Sequence, residues 1–404
     1  MRQTLSRIIF WTNISAMLEI HNIIITMFVA FFGTLWIHPK ILKIAILKNI
    51  VDNPDARKLQ RNPVPVLGGL AVFFGIVVGI CSSQAMFSAP SVFMLITTML
   101  IMLYVGTIDD VIGLTPKLRF IIEIFVVLWL IYVNDTSIDN MWGMFGITKM
   151  PEWVAVPLTV FAAVGIINAI NLIDGVNGLS SGFCFMASTL FAIMFYASRN
   201  TTMTIIAVTA ASAIVPFFLH NVFGNKTKMF IGDGGTLMIG VMMSIFVVST
   251  LCTGTEATKF ATKGMGLIPF TIAVLVVPVF DTLRVMFTRI IRGRSPFSPD
   301  KTHLHHMFID LGFSHVGTTI SILSLNFMVV VLWYISYLIG APEELQFFIV
   351  IAMGLSITVV FYTFAEKQLK NNGRSLRTLK RISKALNIEK KGMWLKVQEL
   401  IDKL

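Results

Sequence analysis

The chain is short of charge. Only 13% of its 404 residues are Asp, Glu, Lys or Arg, about half the share found in soluble globular proteins. With 55% hydrophobic residues and a mean hydropathy of +0.80, this excludes an ordinary water-soluble domain. It implies a chain that crosses a bilayer many times. Cysteine is scarce as well. Cys81, Cys184 and Cys252 are odd in number, lie in or at the end of apolar runs and lack metal-ligand spacing. They read as free thiols, with no disulfide framework. Acidic residues are fewer than basic ones, 21 against 32. The resulting charge of +11 does not call for nucleic acid as a partner, because basic cytoplasmic loops facing anionic lipid account for it. The first eighteen residues begin basic at Arg2 and Arg7, but Thr12, Asn13 and Ser15 interrupt the apolar stretch and no clear cleavage site follows. A cleaved signal peptide is not expected there, and no internal repeat has a fixed period.

Long apolar runs are what the chain has in abundance. A helical span needs about 20 such residues, and eleven stretches qualify: 20–37, 66–84, 90–106, 116–134, 153–170, 179–197, 202–221, 235–253, 265–282, 317–339 and 345–364. Hydrocarbon satisfies no free backbone groups, so these runs should be helices. The predicted fold class is therefore an all-α polytopic membrane protein. The ninth run carries Pro269 and Pro278, which predicts a kinked or broken helix. If 38–65, 107–119, 171–178, 222–234, 283–316 and the tail after 364 share one side, that side holds 26 of the 32 Lys and Arg residues. The positive-inside rule then makes it cytoplasmic, with the N-terminus outside and the C-terminus inside. Residues 19–364 form the predicted transmembrane catalytic domain. Residues 365–404 form a tail in which Leu376, Leu379, Ile382 and Leu386 alternate with Arg374, Arg377, Lys380, Arg381 and Lys384. That pattern reads as a basic amphipathic helix on the membrane surface, or less directly as a docking helix for a partner.

Each loop on the basic side carries more than a connector requires. The first puts Arg57, Lys58 and Arg61 before Gly68 and Gly69, where a plain basic loop and a close backbone approach are equally good readings. The second carries Asp109 and Asp110, followed by Lys117 and Arg119. Adjacent carboxylates attract a divalent cation, and the basic pair can hold a phosphate nearby; a helix cap is the plainer alternative for the acids. The third, NAINLIDGVNGL, gathers Asn168, Asn171, Asp174 and Asn177, hard oxygen ligands and amides able to read a base edge. The fourth, FIGDGG, sets Asp233 between glycines at a helix start, where free N–H groups favour an anion. Phe230, three residues earlier, either stacks on a base or anchors the interface. The fifth, residues 289–306, packs Arg289, Arg292, Arg294, Lys301, His303, His305 and His306 into eighteen residues. Orientation alone needs charge and does not need imidazole. These loops follow spans one, three, five, seven and nine, so all face one side. Acids for Mg²⁺, arginines for phosphates and an amide–aromatic pair for a base together suggest phosphoryl transfer from a nucleotide. With spans around the site, the acceptor would be a lipid.

The set DDVIGL, NAINLIDGVNGL, FIGDGG and SPFSPDKTHLHH, in this order on eleven runs, resembles the polyprenyl-phosphate N-acetylhexosamine-1-phosphate transferases. The last motif resembles the bacterial undecaprenyl-phosphate GlcNAc-1-phosphate transferases of the WecA and TagO type. The resemblance runs from about residue 51 to 313 and implies UDP-GlcNAc as donor, undecaprenyl phosphate as acceptor, UMP as product and Mg²⁺ as cofactor. It also implies a multi-pass protein of the bacterial inner membrane, with a homodimer as the assembly of the wider family. By motif, Asp233 with Asn171 would hold the metal. Asp109, supported by Asp110, would activate or position the lipid phosphate. Asn177 and Phe230 would hold uracil, and Asp174 would order the site. Arg292, Arg294, His303, His305 and His306 would grip the diphosphate and sugar, with Lys117 and Arg119 beside the phosphate. Asn177 stands where the bacterial pattern usually has Asp, and Gln60 where many members have His. Another UDP-HexNAc as donor would leave most motifs unchanged. The rival from a different class is a transporter or flippase, which would place polar groups near the midplane; here only Glu123 sits clearly inside a run.

Overall fold

The computed structural model describes residues 2–53, 62–87, 89–298, 301–389 and 392–404. The first-loop residues Arg57, Lys58, Gln60 and Arg61, and Asp300, lie outside them. Every predicted run is helical. The first is part of α1 (Arg2–Leu47), which leads into a short antiparallel ribbon, β1 (Val51–Asp52) and β2 (Val64–Pro65), paired Val51 to Pro65 and Asp52 to Val64. Then come α2 (Gly68–Cys81), α3 (Gln84–Phe87), α4 (Pro90–Ile112), α5 (Pro116–Asn134), α6 (Glu152–Leu172), α7 (Leu179–Ser198) and α8 (Thr201–Phe223). After these follow α9 (Gly232–Leu251), α10 (Thr258–Ala261), α11 (Leu267–Ile291), α12 (Leu304–Asp310) and α13 (His315–Leu338). The last apolar helix, α14 (Glu343–Leu355), runs through a π-type turn into α15 (Tyr362–Lys370), and the tail forms α16 (Arg374–Leu386) and α17 (Gly392–Ile401). Among the described residues nine helices are long and apolar enough to cross a membrane, and α2 is a shorter apolar helix. The remaining predicted run is α5, 19 residues that include Lys117, Arg119 and Glu123. The chain is an all-α polytopic membrane protein.

The core sits around α9, whose residues from Leu237 to Met243 are almost wholly buried between α4, α6 and α2. Small residues let these helices meet, as membrane packing favours. A Cβ on Gly106 of α4 would stand 2.4 Å from the backbone of Asp233, and one on Gly69 would stand 2.4 Å from Gly235. Three of the motif loops are thereby brought together at one end of the bundle.

Two expectations change. The prolines do not break α11, which is one helix of 25 residues. Pro269 lies in its first turn, where a missing N–H costs nothing. Pro278 leaves the carbonyl of Val274 without its helical donor, and Asn326 of α13 replaces it, donating to Val274 at 3.0 Å and accepting from the Val277 N–H at 3.0 Å. The tail helix α16 forms as predicted, and most of its apolar stripe packs on protein, while Ile382 stays exposed. Leu376 and Ser383 are buried, and Leu379 and Leu386 pack on the main core. The body of the protein offers that stripe a drier surface than a lipid headgroup layer does.

Candidate active site

α4 carries two aspartates in its last turn, and Gly113 at φ +81° turns the chain back toward α5. Asp109 caps its own helix end, accepting from the Leu114 N–H at 2.6 Å, and accepts from Arg119 Nη1 at 3.0 Å. Asp110 accepts from the backbone N–H groups of Asp233 and Gly234 at 3.1 and 3.3 Å, so it caps α9, where the helix dipole favours a carboxylate. The plainer reading of the acidic pair thus describes part of what both residues do. Asp233 accepts from Asn171 Nδ2 at 2.8 Å and from Arg119 at 3.4 Å. The same Asn171 amide reaches Thr236 Oγ1 at 2.9 Å. One turn into the span, Glu123 is fully buried, 3.6 Å from Arg119 Nε, and accepts from the Asn168 amide. One guanidinium therefore serves three carboxylates.

A cavity of about 1070 Å³ opens beside these acids, lined among others by Asp109, Asp110, Asp174, Asn177, Phe230, Asp233 and His306. It exceeds the usual range of small-ligand clefts, about 300–1,000 Å³, and is ample for a nucleotide sugar. Asp174 lies in the α6–α7 loop, accessible from the cavity, and accepts from Ser180 Oγ. Crowding by protein pushes its carboxyl up to about 6; the charges of Asp233 and Asp52 act in the same sense and the Ser180 hydroxyl opposes them. The lining also has residues that motif reasoning passed over: Asp52, Asn221, Lys228 and His315. Asn221 ties two loops together, accepting from the Gly178 N–H at 2.6 Å and donating to the Met229 carbonyl at 2.8 Å. His315 Nδ1 accepts from the Asn177 N–H at 3.4 Å, and Thr319 donates to the Asn177 carbonyl at 2.9 Å. Lys228 Nζ stands 5.8 Å from the centroid of the Phe230 ring, and burial holds its ammonium below the usual lysine range. Its place two residues before Phe230 was a usable signal. Asn221 and His315, at the ends of apolar runs, offered none.

The histidine stretch is resolved into distinct tasks. Only His306 of the three lines the cavity. His303 is buried, with Nδ1 2.9 Å from Asp281, which also accepts from Arg284 at 2.7 Å and from the Leu304 N–H at 3.1 Å. Arg284 in turn donates to the Thr302 carbonyl at 2.5 Å and lies 3.7 Å over the Tyr362 ring. His305 is buried behind Gly175, where an added Cβ would meet its Nε2 at 2.3 Å. Burial, then the neighbouring histidines, hold its pKa well below the ordinary value. His303 and His305 therefore pack against Asp281 of α11 and Gly175 of the α6–α7 loop, and neither is among the residues that line the cavity. Arg292 and Arg294 are exposed and stand outside the cavity lining, as does Lys117.

The donor set suits a hard divalent cation. Five carboxylates line one cavity, yet among the described residues no three His, Cys, Asp or Glu side chains gather closely enough to hold a metal unaided. That is the usual setting for Mg²⁺, which takes one or two carboxylates and completes its shell with water and substrate phosphates.

Comparison with known proteins gives one consistent result. Residues 92–251 match the glycosyl transferase family 4 model. A probable undecaprenyl-phosphate N-acetylglucosaminyl 1-phosphate transferase of Bacillus subtilis (strain 168) is 30% identical over 312 residues, covering 76% of this chain and 83% of the relative. The undecaprenyl-phosphate alpha-N-acetylglucosaminyl 1-phosphate transferases of Salmonella typhi and Escherichia coli (strain K12) are each 26% identical, over 278 and 280 residues, covering 67% of this chain and 72% of each relative.

Proposed function

The chain belongs to glycosyl transferase family 4, and from that premise we propose that it transfers GlcNAc-1-phosphate from UDP-GlcNAc to undecaprenyl phosphate, releasing UMP. The observation that carries this reading is a single cavity lined by two kinds of residue: the acids Asp109, Asp110 and Asp233, and the set Asn177, Phe230 and Lys228. The acids suit a cation and the phosphates it binds, and the second set suits a planar base and an anionic group.

An oxygen of the lipid phosphate attacks the phosphorus that bears the sugar. The bond from that phosphorus to the bridging oxygen breaks, and the electron pair leaves on UMP. Mg²⁺ bound at Asp233, with Asn171 beside it, would neutralise the donor diphosphate. Arg119, held by Asp109, Asp233 and Glu123, is the protein's own cation at that centre and can pass an N–H to an entering phosphate. Asp109, in the last turn of α4, orients the attacking phosphate, while Asp110 keeps the start of α9 in place. Phe230 and Asn177 hold the uracil, and His306 faces the diphosphate.

This reading sets the acid-bearing face in the cytoplasm of a bacterial inner membrane, with eleven crossings, the N-terminus outside and a homodimer as the assembly. The test is to incubate the purified protein with undecaprenyl phosphate, Mg²⁺ and a panel of UDP-HexNAc donors, and to weigh the lipid product. UDP-GlcNAc should be used best, with turnover sensitive to tunicamycin. Formation of no lipid-linked sugar from any donor would overturn the reading.

A further inference from the structure

The tail is a motif that the reaction leaves unused, and it is stitched to segments that line the cavity at two points. Asp402, just beyond α17, accepts from the backbone N–H groups of Asn225, Lys226 and Thr227 at 2.9, 3.0 and 3.2 Å, and from Thr227 Oγ1 at 3.0 Å. Three successive amides converging on one carboxylate oxygen form an anion nest. These contacts hold the Asp402 carboxyl below the usual range, although its own partial burial acts the other way. Within α17, Trp394 is buried against Val222 and Val316, 4.5 Å from the Phe223 ring. Ahead of α17, Asn387 accepts from the Ser314 N–H at 2.7 Å and Glu389 from the Val316 N–H at 2.8 Å. One attachment thus grips the loop after α8, and the other grips the start of α13.

Both places line the cavity, through Asn225, Lys226 and Lys228 on the loop and His315 on α13. The loop is also pinned from inside the bundle. Thr227 accepts from His38 Nε2 through its carbonyl at 2.9 Å and pairs through Oγ1 with His220 Nδ1 at 2.9 Å. Asp402 therefore completes a chain of contacts that fixes where Lys228 stands.

We propose that the C-terminal helix is a strap across the donor-binding wall, and that Asp402 is a positioning residue that holds Lys228 and its loop for the nucleotide sugar. This rests on the reading of the cavity as a UDP-GlcNAc site, and adds a residue that shapes the lining at Lys228. Asp402 touches no substrate. Its effect falls on donor affinity and not on the reacting phosphorus.

The test compares full-length wild type, Asp402→Ala and Asp402→Asn in detergent or nanodiscs. Asp402→Ala should raise KM for UDP-GlcNAc about five- to tenfold, the scale of one ordinary hydrogen bond, because the lost contacts act on the donor only through the loop. Both kcat and KM for undecaprenyl phosphate should stay within about twofold. Asp402→Asn keeps an oxygen for the three amides and should recover most of the donor affinity. Amide hydrogen exchange at 225–227 should quicken in Asp402→Ala and stay slow in Asp402→Asn. An unchanged donor KM with unchanged exchange would overturn the strap. So would a uniform loss of kcat, both KM values and thermal midpoint, since that describes a merely structural contact. If wild type itself releases no UMP, the reaction reading fails instead, and the exchange arm still decides whether the strap exists.

Discussion

Arg119 is the residue on which the acid cluster depends electrostatically. It lies 3.0, 3.4 and 3.6 Å from carboxylates of Asp109, Asp233 and Glu123. Removing one partner of a buried pair costs about 3–5 kcal/mol, because the other charge is left uncompensated. Arg119→Ala should therefore lower the thermal midpoint as well as abolish turnover. Adding Glu123→Gln should restore much of the midpoint and none of the turnover, and a double variant no more stable than the single would show that Glu123 is not the stranded charge. Asp174 makes a prediction in pH. Its carboxyl sits at about 6 in the folded chain against an ordinary 3.8, so the folded state binds the proton more tightly than the unfolded state. Stability is lost as pH rises from about 4 to 6, and the penalty is complete above that. Because the side chain opens to the cavity, the penalty is about 1 kcal/mol or less. Asp174→Asn should melt slightly higher than wild type at pH 7.5, melt with it near pH 4, and turn over at least tenfold more slowly. A midpoint difference equal at both pH values would contradict the raised pKa.

Helix α11 shows how an element can look broken in sequence and be continuous in space. Pro278 strips a donor from Val274, and the repair comes from Asn326, 48 residues further along the chain. No local pattern announces such a partner. Asn326→Ala leaves the buried Val274 carbonyl unpaired, at about 1–3 kcal/mol, and should lower the thermal midpoint. Pro278→Ala in that background restores an N–H to Val274 and should recover part of the loss. Failure to recover would mean that Asn326 acts by packing alone. The α16 stripe is a second case. Its periodicity groups Leu376, Leu379, Ile382 and Leu386 on one face; Ile382 stays exposed while the other three pack on the core, and periodicity says nothing about whether a face meets lipid or protein.

At the scale of the whole molecule, the apolar runs and the pairing of acidic loops were legible because both are local features: run length fixes helices, and loop parity fixes which motifs share a side. Asp109, Asp110, Asn171 and Asp233 meet as their loop positions implied. The tasks of the histidines were not legible. His303 and His305 are buried by Asp281 and Gly175, from α11 and the α6–α7 loop, and a tight cluster of imidazoles reads the same whether it grips a ligand or braces a loop. Asn221 and His315 were hidden for a related reason, since they act by joining loops that only the folded bundle brings together. In the proposed reaction the acids around Asp233 carry metal-dependent phosphoryl transfer. Initial rates of UMP release from UDP-GlcNAc and undecaprenyl phosphate, with Mg²⁺ titrated for wild type and Asp233→Ala, test it most directly. Wild type should saturate with Mg²⁺ and lose activity to a chelator, and Asp233→Ala should be slower by about 10²–10³-fold or more at every Mg²⁺ concentration. UMP release near the wild-type rate from Asp233→Ala, or turnover indifferent to the chelator, would contradict the account.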